Sequence, residues 1–467
     1  MSTSILKHFQ SKHLSVVERI TAGKALRDKF PRASHGVYRP AADRADPVSI
    51  LEEQAKTRLQ ELVPIRYARM LTSPFAFLRG GAAIMAADLA AGAATTGITV
   101  QACGDMHVAN IGLFASAERR LVCGINDFDE TLPAPWEWDM KRLVASIVAS
   151  GRFMGADDDI SNEAVMAAVK SYRNRMHEYA LKGNLDLWYT SIKGKDTLDT
   201  MTAAQRKRAE KIMEQARSRT HMQVLEKLTD IVDEEHRIRL DAPFIVRQTH
   251  TKSGRSINEA MELFLESYYQ SLGNDRKKLL ENYRIVDVVR KIVGVGSVGT
   301  RCWVVFMMGN HSNDPLFLQI KEAQHSVLEP YVAPSAFINQ GQRVVEGQRL
   351  IQGAPDIFLG WGEQDGIHFY VRQLRDMKGG IQFISESKKE VIDNMRLYGA
   401  TCAWSLALAH AKSGDPAIIA GYVGNSDELD KAMSRFAFAY ADQNESDFKS
   451  LTDAAKSKRI HVAAKTS

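Results

Sequence analysis

The stretch from Gln101 to Glu130, QACGDMHVANIGLFASAERRLVCGINDFDE, constrains this chain more than any other, because it sets oxygen-bearing side chains at the ends of two short apolar runs. The first run ends at Cys103, turns at Gly104 and resumes with Ile111, Leu113 and Phe114. The second, Leu121 to Ile125, delivers Asn126-Asp127-Phe128-Asp129-Glu130. The polar segment between them, Ala115 to Arg120, reads as a turn, so a β-hairpin is predicted whose strand ends return to one edge. Asp105, Asn110 and Asp127 then gather there, and oxygen donors of that kind suit a hard cation such as magnesium. Taken singly, Asp105 and Asp127 read equally well as turn or cap residues, a common use of Asp in loops. The ordered set is what points to a site.

The spacing sharpens that reading. Phosphoryl-transfer enzymes of the kinase type use an Asp that accepts the substrate's hydroxyl proton, an Asn five positions later that holds a metal, and a following Asp on the magnesium ions. Asp105 and Asn110 have that interval, and Asp127 follows within one hairpin. With His107 the segment is G-D-x-H-x-x-N, which resembles the catalytic loop of small-molecule kinases such as aminoglycoside phosphotransferases. Asp127-Phe128-Asp129 resembles the metal-binding segment of the same superfamily. The resemblance implies Asp105 and His107 as catalytic residues, and Asn110, Asp127 and Asp129 as metal ligands. Cys103 departs from it, standing where those enzymes usually carry His.

The other half of such a site has a counterpart downstream. Gly294-Val295-Gly296-Ser297-Val298-Gly299 lies between two strand-like runs, 285–293 and 300–308. In a dinucleotide-binding fold this motif opens a helix; here it opens another strand, the context of a kinase glycine-rich loop. A third strand-like run, 315–323, carries Lys321. Gly294, Gly296, Ser297, Gly299 and Lys321 are therefore expected to bind nucleotide, ATP by the resemblance. An ordinary glycine hairpin and a surface Lys are the plain alternative. A kinase Lys needs an acidic partner on a nearby helix, and Glu346, in the middle of 340–352, is the candidate, with Glu322 and Glu329 as competitors. The run 369–375 reads as a strand leaving the small sheet at the adenine hinge. Arg66, Arg69 and Arg79 lie just upstream of the acidic hairpin and are able to meet phosphate oxygens, Arg79 foremost; surface arginines on a helix are the alternative. Asp139 stands where a helix N-cap would, or, by the resemblance, braces the catalytic loop.

Length and charge set the frame. A chain of 467 residues exceeds what one hydrophobic core usually holds. The net charge of +5, from 61 basic and 56 acidic residues, argues for neither nucleic acid nor membrane as partner. Cys103, Cys123, Cys302 and Cys402 are scattered without C-x-x-C spacing, which a reduced cytoplasmic protein explains. The first twenty residues mix Lys, His and Glu into their apolar positions, unlike a signal peptide or a span. Residues 22–48 read as an extended arm, 160–282 as charged helices with one long period over 202–236, and the Lys-rich tail from Ala454 as frayed.

The order of these motifs is unusual. Kinases run glycine loop, Lys, Glu, hinge, helical lobe, catalytic loop and metal Asp, whereas here the catalytic loop comes first. Joining the termini would restore the order, so the expected fold is α+β: a circularly permuted, kinase-like two-lobe fold with a small antiparallel β lobe and a large, mainly helical lobe. The expected parts are an arm (1–48), a helical part with the catalytic loop (49–283), a β-rich part (284–378) and returning helices (379–467). Residues 73–80, 103–110, 126–131, 135–143, 343–352 and 421–424 resemble the bacterial domain of unknown function 2252 family, grouped with the protein-kinase-like superfamily. The resemblance implies an ATP- and magnesium-dependent phosphotransferase acting on a hydroxyl. A kinase-like nucleotidyltransferase or non-catalytic nucleotide binder, and a metal-dependent phosphoesterase suggested by Gly104-Asp105-x-His107 with Gly309-Asn310-His311, stay open.

Overall fold

The computed structural model describes residues 9–464 apart from 199–200, 219–220, 252–253, 312, 375–378 and 381–387. Part of the expected hinge lies outside the described residues. Near the N-terminus two short helices, Val63–Met70 (α1) and Pro74–Gly80 (α2), each open with a proline in the first turn, where its missing N–H costs nothing. Two antiparallel strand pairs follow, one nested inside the other. Thr99–Ala102 (β1) pairs with Leu132–Pro135 (β4), while Ile111–Ala115 (β2) pairs with Leu121–Ile125 (β3). The chain leaves β1 through 103–110 to reach β2 and leaves β3 through 126–131 to reach β4. Nesting therefore sets the two loops side by side.

From β4 the chain enters the helix Trp136–Met154 (α3), buried along nearly its whole length. Helices Asp158–Ala180, Lys388–Ser413 and Glu428–Lys456 pack around it, joining sequence-distant halves in one core. The expected N-terminal arm is a correction: Val16–Lys29 is a helix, opened by a Ser15–Glu18 capping box and laid against Pro416–Val423. A Cβ on Gly23 would stand 2.0 Å from the Ile418 carbonyl oxygen, so only glycine permits that approach. The tail is a second correction as far as Ala464. Arg459 pairs with Asp46 at 2.8 Å and Glu52 at 2.6 Å, and Ile460 is buried beside Val48.

The second body is a six-stranded antiparallel sheet. Arg284–Lys291 (β5), Cys302–Met308 (β6), Pro315–Glu322 (β7), Gly360–Gln364 (β8) and Ile367–Gln373 (β9) take the order β8-β9-β7-β6-β5, with Ile245–Val246 beyond β5. The helix Gln340–Ile351 (α4) lies between β7 and β8 in the chain. Alternation sorts the faces. Leu316, Leu318 and Ile320 pack under Phe264 and Tyr268 of the helix Ile257–Gln270, and Phe317 packs with Phe306 and Leu225 on the other face. That second face ends in polar side chains: Lys321 lies opposite Cys302 and Tyr370, and Gln319 opposite Val304 and Arg372.

Two further expectations change here. In the charged stretch 202–236, Ala203–Ser218 and His221–Leu228 are helices, after which Thr229–Val232 and Glu235–Ile238 form a hairpin. That segment and the helix Ile257–Gln270 pack on the sheet, so the sheet body begins well upstream of residue 284. At 53% helix and 16% strand, with its named strand pairs antiparallel, the chain is a mixed α+β protein in which the sheets are the minor part. Among the described residues no single helix is long and apolar enough to cross a membrane. The adjoining helices Pro74–Gly80 and Ala82–Gly92 are apolar enough together but bend by 75°, and Phe77, Ile84 and Leu89 are buried in the core.

Candidate active site

The acidic residues sit on the two adjacent loops. Gly104 turns the first with a φ of +78°, and a Cβ there would lie 2.5 Å from the Glu130 carbonyl oxygen, so glycine lets one loop rest on the other. The amides of Cys103 and Gly104 donate to the Asp139 carboxylate at 2.7 and 3.0 Å. Asp139 lies in the first turn of α3, whose N-cap is Pro135, so it does not cap the helix; it holds the loop. His410 Nε2 stands 3.3 Å from the same carboxylate, and His410 Nδ1 2.8 Å from the Tyr172 hydroxyl. The Cys103 thiol is buried and burial raises its pKa well above the usual range, an inert packing group.

One turn along α3, Arg142 donates Nε to Asp105 at 2.6 Å. Burial pushes the Asp105 carboxyl up to about 6, with Arg142 opposing and Asp127 reinforcing. His107 Nε2 lies 3.9 Å from Asp105. Burial, with the positive charges of Arg79 and Arg142, holds the His107 pKa well below the ordinary value, so its imidazole is neutral. Asn110 knits the two loops. Its Oδ1 accepts from the Asp127 amide at 2.7 Å, and its Nδ2 donates to the carbonyls of Asp105 and Asp127 at 3.2 and 3.1 Å. The side chain expected to hold metal thus bonds backbone.

Across from these loops stands the polar end of the sheet. Lys321 donates to the Asp129 carboxylate and lies 3.9 Å from Asp127. Burial works against its charge, but Asp127 and Asp129 outweigh that and push the Lys321 pKa up. Asp129 also accepts from the Tyr370 hydroxyl at 2.7 Å and the Ser297 hydroxyl at 3.2 Å. Three donors occupy it, which corrects its expected role as a metal ligand in this arrangement. The Asp127 side chain is 45% exposed, toward the cleft.

Glu346 is also a correction. Its carboxylate pairs with Arg349 at 3.1 Å on a different groove. The residue that α4 turns toward the acidic loop is Arg343, which donates to the carbonyls of Thr131 and Asp129 at 2.7 and 2.8 Å. The competitors are engaged elsewhere, Glu322 with Arg301 at 2.9 Å and Glu329 with His325 at 2.5 Å.

The glycine segment is pinned from the N-terminal side. The Leu59 amide donates to the Gly299 carbonyl at 2.7 Å, Arg58 donates to Val298 at 2.6 Å, and Arg69 donates to Gly294. Gly294 and Gly299 have φ of +68° and +95°. A Cβ on Gly296 would lie 3.2 Å from the Arg79 carbonyl. Together these elements enclose a cleft of about 320 Å³ bordered by Arg79, Asp105, His107, Asn110, Asp127, Asp129, Gly294, Gly296 and Ser297. Arg372 donates to the Gln319 side chain at 3.0 Å and to the Asn126 carbonyl at 2.9 Å, and beyond these two residues opens a second cleft of about 260 Å³.

Sequence reasoning missed Arg142, Tyr370, Arg372 and Arg58. Arg142 was findable, since it follows Asp139 by three positions on one helix and so shares its face. Tyr370 and Arg372 also had a signal, alternating on β9 with the period of a strand that borders Lys321.

The arrangement defines a class: a mixed α+β protein whose polar cleft lies between a helical body and an antiparallel sheet, with loop carboxylates facing a strand lysine. The family model described as an uncharacterized protein conserved in bacteria, domain of unknown function 2252, matches residues 58–454, and the chain belongs to that family. Neither a curated protein nor a solved structure matches the chain.

Proposed function

We propose that this chain transfers a phosphoryl group from ATP to a hydroxyl-bearing acceptor with the help of magnesium, on a kinase-like fold whose catalytic loop precedes its glycine segment. One observation carries the reading: Lys321 and Asp129 meet although 192 positions separate them, and the cleft beside them holds Asp105, Asp127 and the glycine segment together. The order of glycine segment, lysine strand, helix and two further strands from β5 to β9 is the order the kinase-like reading requires.

Asp105 is the base. With a pKa near 6 it is ionised at neutral pH yet close enough to accept a proton as the acceptor oxygen attacks phosphorus. Arg142 fixes the carboxylate, Asp139 fixes the loop amides, and neutral His107 leaves the hydroxyl's path uncharged. Lys321, aligned by Asp129, faces the transferring phosphates as a buried cation. Asp127 fits magnesium, because that ion takes one or two carboxylates with phosphate oxygens and water, and Asp127 is the half-exposed acid of the cleft. Magnesium there supplies charge neutralisation on the phosphates. The phosphoesterase reading fares worse. His311 lies in the turn between β6 and β7, and six residues of strand, roughly 20 Å, separate Pro315 from Lys321 beside the acidic loop.

Calorimetric titration of the native chain with ATP and magnesium tests this. Binding that is lost in both Asp127→Ala and Lys321→Met supports one nucleotide site made of both segments, and ATP labelled on its α or γ phosphate then separates nucleotidyl from phosphoryl transfer by the label recovered on acceptor. Absence of binding to the native chain would sink the reading.

A further inference from the structure

The cleft has a third wall whose charges the phosphotransfer chemistry leaves without a partner. Arg66 is fully buried, at 0% exposure. Its Nη2 donates to the Gln54 side chain at 2.9 Å and the Gly80 carbonyl at 3.0 Å, while its Nε and Nη1 have no hydrogen-bond partner among the described residues. Arg58 and Arg79 also border the cleft, each with a buried Nε that lacks a partner among the described residues. None of the three forms an ion pair among the described residues. Burial disfavours all three charges and Arg58 further disfavours that of Arg66, while Glu130 favours those of Arg58 and Arg66 without an ion pair to either. Buried guanidinium N–H groups left without acceptors destabilise a fold. A cleft that keeps three such guanidiniums open is built for an anion.

Position decides whose anion it is. Lys321 is anchored on the sheet side by Asp129, whereas Arg66 is anchored on the N-terminal side by Gln54 and the Gly80 carbonyl, and Arg58 by the Val298 carbonyl of the glycine segment. The two sets of cations are thus held by different elements of one cleft. Arg79 borders the same cleft as Asp105 and Asp127. Guanidinium forks match tetrahedral oxyanions, offering two parallel donors each.

We propose that Arg58, Arg66 and Arg79 bind a phosphate monoester carried by the acceptor, so that the substrate is a phosphorylated molecule whose free hydroxyl reaches Asp105. Assigning the anion to the acceptor rests on the phosphotransfer reading; the anion site itself rests on the three arginines.

Inorganic phosphate is the probe, titrated into the native chain by calorimetry, alone and with a saturating non-hydrolysable ATP analogue and magnesium. The expected result is one phosphate per chain, bound about tenfold or more weakly by Arg66→Met and by Arg58→Gln, from the loss of charge-assisted hydrogen bonds. Acetate, planar and singly charged, should bind the native chain at least about tenfold more weakly than phosphate. Phosphate binding should persist beside the ATP analogue. Competition between the two would assign the arginines to the nucleotide and overturn the acceptor assignment. Absence of millimolar phosphate binding, or binding that both folded variants retain, would overturn the anion site. A chain that binds phosphate but no ATP analogue would remove the phosphotransfer reading and the acceptor with it, leaving the anion site standing.

Discussion

The sheet wall and the N-terminal wall of the cleft treat buried positive charge in opposite ways. On the sheet wall Lys321, 2% exposed, meets Asp129, and Tyr370 and Ser297 complete the same carboxylate. On the N-terminal wall Arg66 is equally buried, yet two of its nitrogens have no partner among the described residues. A closed network holds its geometry before any ligand arrives, whereas an open one is completed by what binds. The difference teaches which wall is shaped by its own contacts and which wall leaves donors open to a ligand.

The largest effect should come from breaking the closed wall. Lys321→Met strands the Asp129 carboxylate without its cation, and removing one partner of a buried pair costs about 3–5 kcal/mol. Urea denaturation should register that loss, and calorimetry should show ATP binding gone. Lys321→Met with Asp129→Asn should recover most of the stability but none of the binding. A single variant as stable as the native chain would mean that the sheet wall is not closed by charge.

Next comes Asp105, the proposed base. Asp105→Asn should lower phosphoryl transfer by about 10²–10⁴-fold, the usual worth of a positioned general base. The pH dependence gives the sign. Burial raises this carboxyl to about 6, so the ionised, proton-accepting form is gained as pH rises and the native rate should climb between pH 5 and 7. The Asn variant should lack that climb. An identical profile in both proteins would remove Asp105 from the chemistry.

How far these walls were legible from sequence differs in the same way. The acidic hairpin was readable because two short apolar runs flank a polar turn. The glycine segment and Lys321 were readable because a strand context surrounds them. The partner of Lys321 was not, since it depends on nesting β2–β3 inside β1–β4, which aims the 126–131 loop at the sheet. A helix seemed the natural place for the acid, and the loop supplies it. The Thr229–Ile238 hairpin was hidden for a local reason. Its turn residues, Asp233 and Glu234, take φ of +50° and +63° without a glycine, so a charged run concealed a turn that Asn-Gly would have announced. Arg66 was readable as a phosphate candidate but its burial was not, because a buried, incomplete arginine and a surface one look alike in sequence.

A smaller effect separates the open wall from the closed one. Arg66→Met removes a buried charge that no ion pair among the described residues holds, at the cost of two hydrogen bonds from one nitrogen. In phosphate-free buffer the melting temperature should hold or rise, opposite in sign to Lys321→Met. Phosphate should stabilise the native chain by mass action, about 2.7 kcal/mol at a hundredfold excess over Kd, and leave the variant nearly unmoved. A strong loss of stability without phosphate would show that this wall, too, is closed.

The smallest effect should come from Glu346. Its carboxylate is 34% exposed and pairs one turn along α4 with Arg349, itself 36% exposed. Such pairs contribute about 0.2–0.5 kcal/mol. Glu346→Ala should therefore change stability by less than about 0.5 kcal/mol and leave ATP affinity untouched. Arg343 on the same helix is 2% exposed and donates to three carbonyls around the acidic loop, so α4 is docked by its arginine whatever Glu346 does. Weaker ATP binding by Glu346→Ala would carry a specific meaning: Lys321 would have to leave Asp129 for Glu346 when nucleotide binds, freeing Asp129 for magnesium. The closed wall would then be a resting arrangement that the substrate opens.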